Sequence, residues 1–232
     1  MLVGRDKEID KLVLNMERGI HTVVFGAEGT GKSALLQHLA SLPSKTRRIY
    51  VRDCDSRRTL LEGALRRVST SRQVSSTELR ESLIQDLRNR LVTLGRRENS
   101  CLMLDHLPRL QHRMQHLLEL LEPHFTLVCG VRATPGTYDL YYWKFDRLEV
   151  RDLPVAAAVS WIERELAQLG CRGLLGRAIA YEVRRLSHGN PGLISDTLNA
   201  MRTSAVPLDD PIRVRRWFID GRLSHLKNRH TL

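Results

Sequence analysis

Over its first 150 residues the chain alternates short hydrophobic runs with longer segments whose apolar positions recur every three or four residues. The short runs lie at 20–25, 48–52, 100–105, 125–131 and, more weakly, 147–150. Unbroken apolar stretches of this length, such as Cys101-Leu102-Met103-Leu104, predict strands covered on both faces of a parallel sheet. The periodic segments at 5–19, 33–40, 57–70, 76–95 and 109–122 predict helices. In the first of these, Ile9, Leu12, Val13 and Met16 share one face, and Pro123 ends the last. Beyond Pro154 the strand-like runs stop. Residues 155–169, 173–187, 191–203 and 208–227 carry helical periodicity alone, and the turn Gly189-Asn190-Pro191-Gly192 divides two of them. The pattern therefore predicts an α/β domain over residues 1–152, a parallel sheet with helices on both faces. A small all-helical domain with a basic tail is expected over 153–232.

Composition narrows the setting. The 232 residues hold no run long enough to cross a membrane, and the first eight lack the apolar stretch of a signal peptide. Cys54, Cys101, Cys129 and Cys171 are widely separated, which fits reduced core thiols better than disulfides or a zinc site. A cytoplasmic protein with no membrane partner is the expectation. The formal charge of +11 favours polyanionic partners, DNA first. Arginine pairs recur along the chain and are densest from Arg213 to Arg229. Few aromatics are interleaved with them, so a single-strand stacking platform is not indicated.

Candidate chemistry begins where the first predicted strand ends. Gly26-Ala27-Glu28-Gly29-Thr30-Gly31-Lys32-Ser33 is a complete G-x-x-x-x-G-K-[ST] phosphate loop between a strand and a helix. Glycines let successive backbone N–H groups converge on one anion. Lys32 reaches the β- and γ-phosphates, Ser33 ligates Mg²⁺, and the helix beginning through Ala34 adds its positive end. Such a site takes ATP with Mg²⁺. Asp105, closing an apolar strand, is the expected second metal carboxylate. His106 follows it where many hydrolases place the glutamate that orients the attacking water. A neutral imidazole accepts a proton, so slow or partner-dependent hydrolysis is compatible with it. Arg132 or Thr134, beyond the next strand, is placed to sense the γ-phosphate.

These features together resemble the AAA+/STAND superfamily of ATPases, closest to its origin-recognition-like and transposition-regulator-like branch. Leu2-Val3-Gly4-Arg5-Asp6-Lys7-Glu8 is similar to that group's hydrophobic-Gly-Arg-x-x-Glu opening, and Leu107-Pro108 to the usual continuation after the acid. Leu186-Ser187-His188-Gly189-Asn190-Pro191-Gly192-Leu193-Ile194 is similar to its Gly-Asn-Pro lid turn. The resemblance implies that Val3 and Gly4 lie near the adenine and that Asn190 and Pro191 close over the nucleotide. It also implies a homo-oligomer in the ATP state. The chain departs from the pattern at Gly192, where many relatives carry a basic sensor, and at His106. The resemblance also points to Lys144 and Arg147 as the residues that lie where an arginine finger is usual. Larger STAND proteins carry repeat arrays, for which this chain ends too soon.

Two functions are therefore expected: an ATP-dependent assembly or regulatory factor on DNA, or a STAND-like nucleotide switch acting on a protein partner. A kinase shares the loop, but the sequence offers no convincing acceptor site.

Overall fold

The computed structural model describes residues 2–68, 76–96, 100–132, 140–204 and 213–229. The chain forms two compact units, Met1–Ala27 with Lys32–Val150, and Glu28–Gly31 with Arg151–Leu232.

The first unit is built on five strands: β1 (Thr22–Phe25), β2 (Arg47–Val51), β3 (Ser100–Leu107), β4 (Thr126–Val131) and β5 (Asp146–Glu149). They pair in the order β2-β3-β4-β1-β5, every pairing parallel. β4 thus sits between β1 and β3. Its burial pattern, like that of β1, is continuous, because helices cover both faces. On one face Val24, Tyr50, Met103 and Val128 pack with Leu12 and Met16 of α1 (Asp6–Glu17) and with Leu35, Leu36 and Leu39 of α2 (Lys32–Ser41). On the other, Val23, Ile49, Leu102, Leu104 and Leu127 meet α3 (Arg57–Val68), α5 (Ile84–Gly95) and α6 (His112–Leu121). All four cysteines are buried and none forms a disulfide.

Two predicted helices need correction. The segment 76–95 is not continuous: α4 (Ser76–Glu81) ends and α5 begins after an extended Leu83, with ψ 148°. Arg58 causes the stop by donating to the carbonyls of Leu79, Arg80 and Ser82 at 3.1–3.3 Å. A guanidinium on the last carbonyls of a helix satisfies them and complements its negative end. The helix expected over 109–122 starts only at His112. A 3₁₀ turn, Leu140–Lys144, precedes β5 and packs Tyr141, Tyr142 and Phe145 edge to face, which periodicity does not reveal.

The second unit holds α7 (Val155–Gln168), α8 (Gly173–Ser187), α9 (Pro191–Thr203) and α10 (Val214–Arg229). Ile162, Leu166, Ile179, Val183, Ile194, Leu198 and Trp217 form its core. Residues 208–212, part of the last predicted helix, lie outside the described residues, as does Thr134. Among the described residues no helix is long and apolar enough to cross a membrane.

Candidate functional site

The phosphate-loop motif leaves the carboxyl end of β1 and enters α2 at Lys32; Gly26, Ala27, Lys32 and Ser33 belong to the first unit and Glu28–Gly31 to the second. Gly26, Gly29 and Gly31 all have φ between 79° and 149°, the region in which a side chain is strained. Lys32 Nζ donates to the carbonyl oxygens of Gly26 and Ala27, both at 2.8 Å. Burial lowers the pKa of this ammonium, and the charge of Asp105 opposes the shift. The lysine thus rests on its own loop, on bonds that a phosphate oxygen can replace.

Asp105 is 1 % exposed. One carboxylate oxygen accepts the His106 N–H at 2.8 Å, and the other accepts the Tyr50 hydroxyl at 2.8 Å. Gln37 Nε2 donates to the same hydroxyl at 3.1 Å. Gly130, on the neighbouring strand, leaves the space: a Cβ there would lie 3.0 Å from Asp105 Oδ1 and 2.9 Å from Leu36 Cδ1.

Strand parity explains how Asp105 and His106 both reach the face of α2. Cys101 and Met103 point to that face, while Leu102 and Leu104 point to the other. Asp105 continues the first set. His106 would then turn away, but it adopts a left-handed φ of 54°, and the β3–β4 register shifts between Leu104 and Leu107. Such an irregularity re-aims a side chain. Leu107 accordingly packs with Leu102 and Leu104, out of phase with Cys101. His106 instead places Nε2 2.8 Å from Ser33 Oγ and Nδ1 3.4 Å from Arg132 Nη2. A guanidinium only donates, so Nδ1 accepts and the imidazole proton sits on Nε2, facing Ser33. Arg132 also lies 4.0 Å from Asp55. His106 belongs to β3 itself.

The structure thus joins Ser33, Asp105, His106 and Arg132, with Lys32 coupled to Asp105. Val3 and Gly4 precede α1 and are not in this hydrogen-bonded group. Ala34 is exposed in the first turn of α2. Lys144 pairs with Glu122 at 2.7 Å, and Arg147 lies on β5. Sequence reading missed Tyr50, Gln37, Asp55 and Gly130. Their partners are distant in the chain, and the one signal was a tyrosine in the strand that borders the acidic one.

In the second unit Asn190 caps α9 by accepting the Leu193 N–H, and its Nδ2 donates to the Glu28 carbonyl at 2.9 Å and to Asp152 at 3.0 Å. Gly192 N–H donates to Gly29 O at 2.9 Å. A Cβ on Gly192 would lie 3.0 Å from Gly29 Cα, and one on Gly29 only 2.4 Å from Asn190 Oδ1. Position 192 therefore lacks a side chain because the loop backbone occupies the space. Thr30 is buried in the same loop, and a Cβ on Gly31 would meet Pro191 at 3.9 Å.

Residues 1–127, more than half of the sequence, match the AAA ATPase domain. The chain belongs to that family. No curated protein matches it. Among solved structures, the AAA domain and the helical unit together are similar to a Walker-type ATPase of Pyrococcus abyssi, at 15% identity and TM-score 0.65, over 98% of this chain and 76% of that one. A RuvB variant of Thermotoga maritima matches at 16% identity and TM-score 0.55, over 93% of this chain and 70% of the other. A STAND protein with a tetratricopeptide repeat sensor from Pyrococcus horikoshii matches at 15% and 0.53, over 89% of this chain but only 30% of its own length. At these identities the likeness shows the fold, a P-loop parallel sheet followed by helices.

The residues of this AAA domain suit a nucleotide-bound Mg²⁺. The ion keeps several waters and needs only one or two protein oxygens beside phosphates. Ser33 and Asp105 supply hard oxygen donors. The buried Asp105 carboxylate has the His106 ring beside it, Nε2 at 3.6 Å from Oδ2, but no lysine or arginine within 4 Å among the described residues, and a buried carboxylate ordinarily requires a cation.

Proposed function

We propose that the chain is an ATP-binding AAA ATPase in which the bound state of the nucleotide is the signal and turnover is slow or controlled by a partner. The observation that carries this reading is His106. It stands where a glutamate would orient water, and both ring nitrogens are already engaged, by Ser33 and by Arg132. A group so committed is a poor general base until one contact is released. Backbone N–H groups of residues 26–33 would hold the phosphates, with Lys32 on the β- and γ-oxygens. Ser33 and Asp105 would hold Mg²⁺, which supplies neutralisation of phosphate charge when bound. Arg132 would read the γ-phosphate. Val3, Gly4, Asn190 and Pro191 join the site on the family resemblance, residues 153–232 acting as its lid.

The charge of +11 supports an assembly or regulatory role on DNA, of the transposition or replication-loading type, in a cytoplasmic setting with ATP-dependent self-association. One observation favours the second reading, a STAND-like switch on a protein partner. Several cluster arginines are neutralised within the chain: Arg66 pairs with Glu62, and Arg185 and Arg215 with Glu182. Size-exclusion chromatography with light scattering, with and without ATP and DNA, separates the two. The first reading expects an assembly that needs both ligands and weakens steeply from 50 to 200 mM salt, as counterion release requires (about a thousandfold where six or more phosphates are contacted). A monomer under every condition contradicts it.

A further inference from the structure

We infer that Tyr50 is a positioning residue for the Asp105 carboxylate and that Gln37 supports it, so that a strand-edge hydroxyl sets the strength with which this site takes a divalent cation. The inference rests on the proposed nucleotide and Mg²⁺ role of Asp105 and goes beyond it in assigning residues outside both phosphate-loop and acidic-strand motifs.

The geometry is specific. Tyr50 lies on β2, in register with Met103 on β3, so its side chain shares the α2-facing side with Asp105 two residues further on. Its ring is buried at 8 % exposure, and its hydroxyl donates to Asp105 at 2.8 Å. An ionised carboxylate only accepts, so the hydroxyl is the donor. Gln37, one helical turn beyond Ser33 on α2, donates to that hydroxyl at 3.1 Å. Donors in series polarise one another, which strengthens the bond to the carboxylate. The relay is Gln37 amide to Tyr50 hydroxyl to Asp105 Oδ2. The His106 N–H fixes Oδ1, and Gly130 leaves no room for a side chain on the adjacent strand.

With both oxygens fixed, the carboxylate cannot swing. It presents its remaining lone pairs in one direction, on the side of the sheet where Ser33 and Lys32 begin α2. Outer hydrogen bonds of this kind orient a metal-ligating group, and their removal typically weakens metal binding about 10- to 100-fold. The relay also couples position to α2 itself. A shift of α2 relative to β2 would break the Gln37–Tyr50 bond before it disturbed the carboxylate.

The test uses the full chain and a fluorescent ATP analogue, titrated with Mg²⁺ and, separately, in EDTA. Tyr50→Phe keeps the buried ring and removes only the hydroxyl. The expected result is an increase of about 10-fold in the Mg²⁺ concentration for half-maximal effect, with analogue affinity in EDTA unchanged. Gln37→Ala, at an exposed helical position, shifts the Mg²⁺ midpoint in the same direction by a smaller factor. A Tyr50→Phe curve that superimposes on the wild type overturns the inference, as does equal weakening with and without Mg²⁺. If Tyr50→Phe does not fold, Gln37→Ala decides: a shifted midpoint supports the relay and an unshifted one overturns it. A wild-type chain that binds the analogue equally in Mg²⁺ and EDTA removes the metal role of Asp105, and the inference falls with it. Failure to bind the analogue at all removes the proposed function itself.

Discussion

The two ends of the five-stranded sheet use polar residues differently. At the amino end, polar groups tie elements of the fold together. Asn15 of α1 donates to Thr22 at 3.0 Å and to Asp146 at 2.6 Å, and Lys11 reaches both Asp146 and the Arg147 carbonyl. His21 Nδ1 accepts the Leu127 N–H, and Glu122 takes the Tyr141 hydroxyl and Lys144. At the carboxyl end, Lys32 rests on its own loop while Ser33, His106 and Arg132 mostly satisfy one another. The first arrangement stabilises the fold. The second holds reactive groups on contacts that a ligand can replace, as expected of the carboxyl edge of an open α/β sheet.

Substitutions at the two ends should therefore separate function from stability. The largest effect belongs to Asp105→Asn. Mg²⁺-dependent nucleotide turnover should fall at least about 100-fold, while the melting temperature stays level or rises, because a buried carboxylate without a lysine or arginine partner is neutralised. A variant that melts much earlier with its turnover intact would place Asp105 with the structural residues. Next, Asn15→Ala at the amino end should cost about 1–3 kcal/mol, since it leaves Thr22 and Asp146 short of a donor. Denaturant unfolding reads that loss, and nucleotide affinity should not change. If affinity fell in step with stability, the contrast between the two edges would be wrong.

The smallest effect is a pH dependence. Burial, aided by Lys144 and opposed by Glu122, lowers the pKa of His21 in the folded chain. The unfolded chain titrates near 6.5 and so takes up the proton first. Stability is therefore full above that value and falls as pH drops from it toward the folded pKa, with a slope of at most one proton. His21→Gln keeps an acceptor for the Leu127 N–H without titrating, and unfolding free energies from pH 8 to 5 should show a shallower fall. An unchanged slope would assign the dependence elsewhere.

Much of the fold was legible in the sequence because burial on both faces writes strands as unbroken apolar runs, and β3 and β4 read that way. The chain could not reveal that 76–95 is two helices. Leu83 continues the apolar period, and the break is imposed by Arg58 from another helix. In the site, the loop was legible as a motif and Asp105 as the acid that ends an apolar strand. The turn of His106 toward Ser33 was not, since a left-handed non-glycine residue leaves no pattern, and Tyr50 meets Asp105 across 55 residues. Gly192 looked like a lost basic sensor, whereas its packing against Gly29 gives the reason for the glycine.

The central claim is that the carboxyl edge binds ATP through the loop that ends in Lys32 and Ser33. Thermal unfolding of the wild type and of Lys32→Ala, each with and without ATP and Mg²⁺, tests it most directly. Ligand at a hundredfold excess over its dissociation constant should stabilise the wild type by about 2.7 kcal/mol. Lys32→Ala should unfold near the unliganded wild-type temperature and gain little from ATP. An equal gain in both proteins, or none in the wild type, would contradict it.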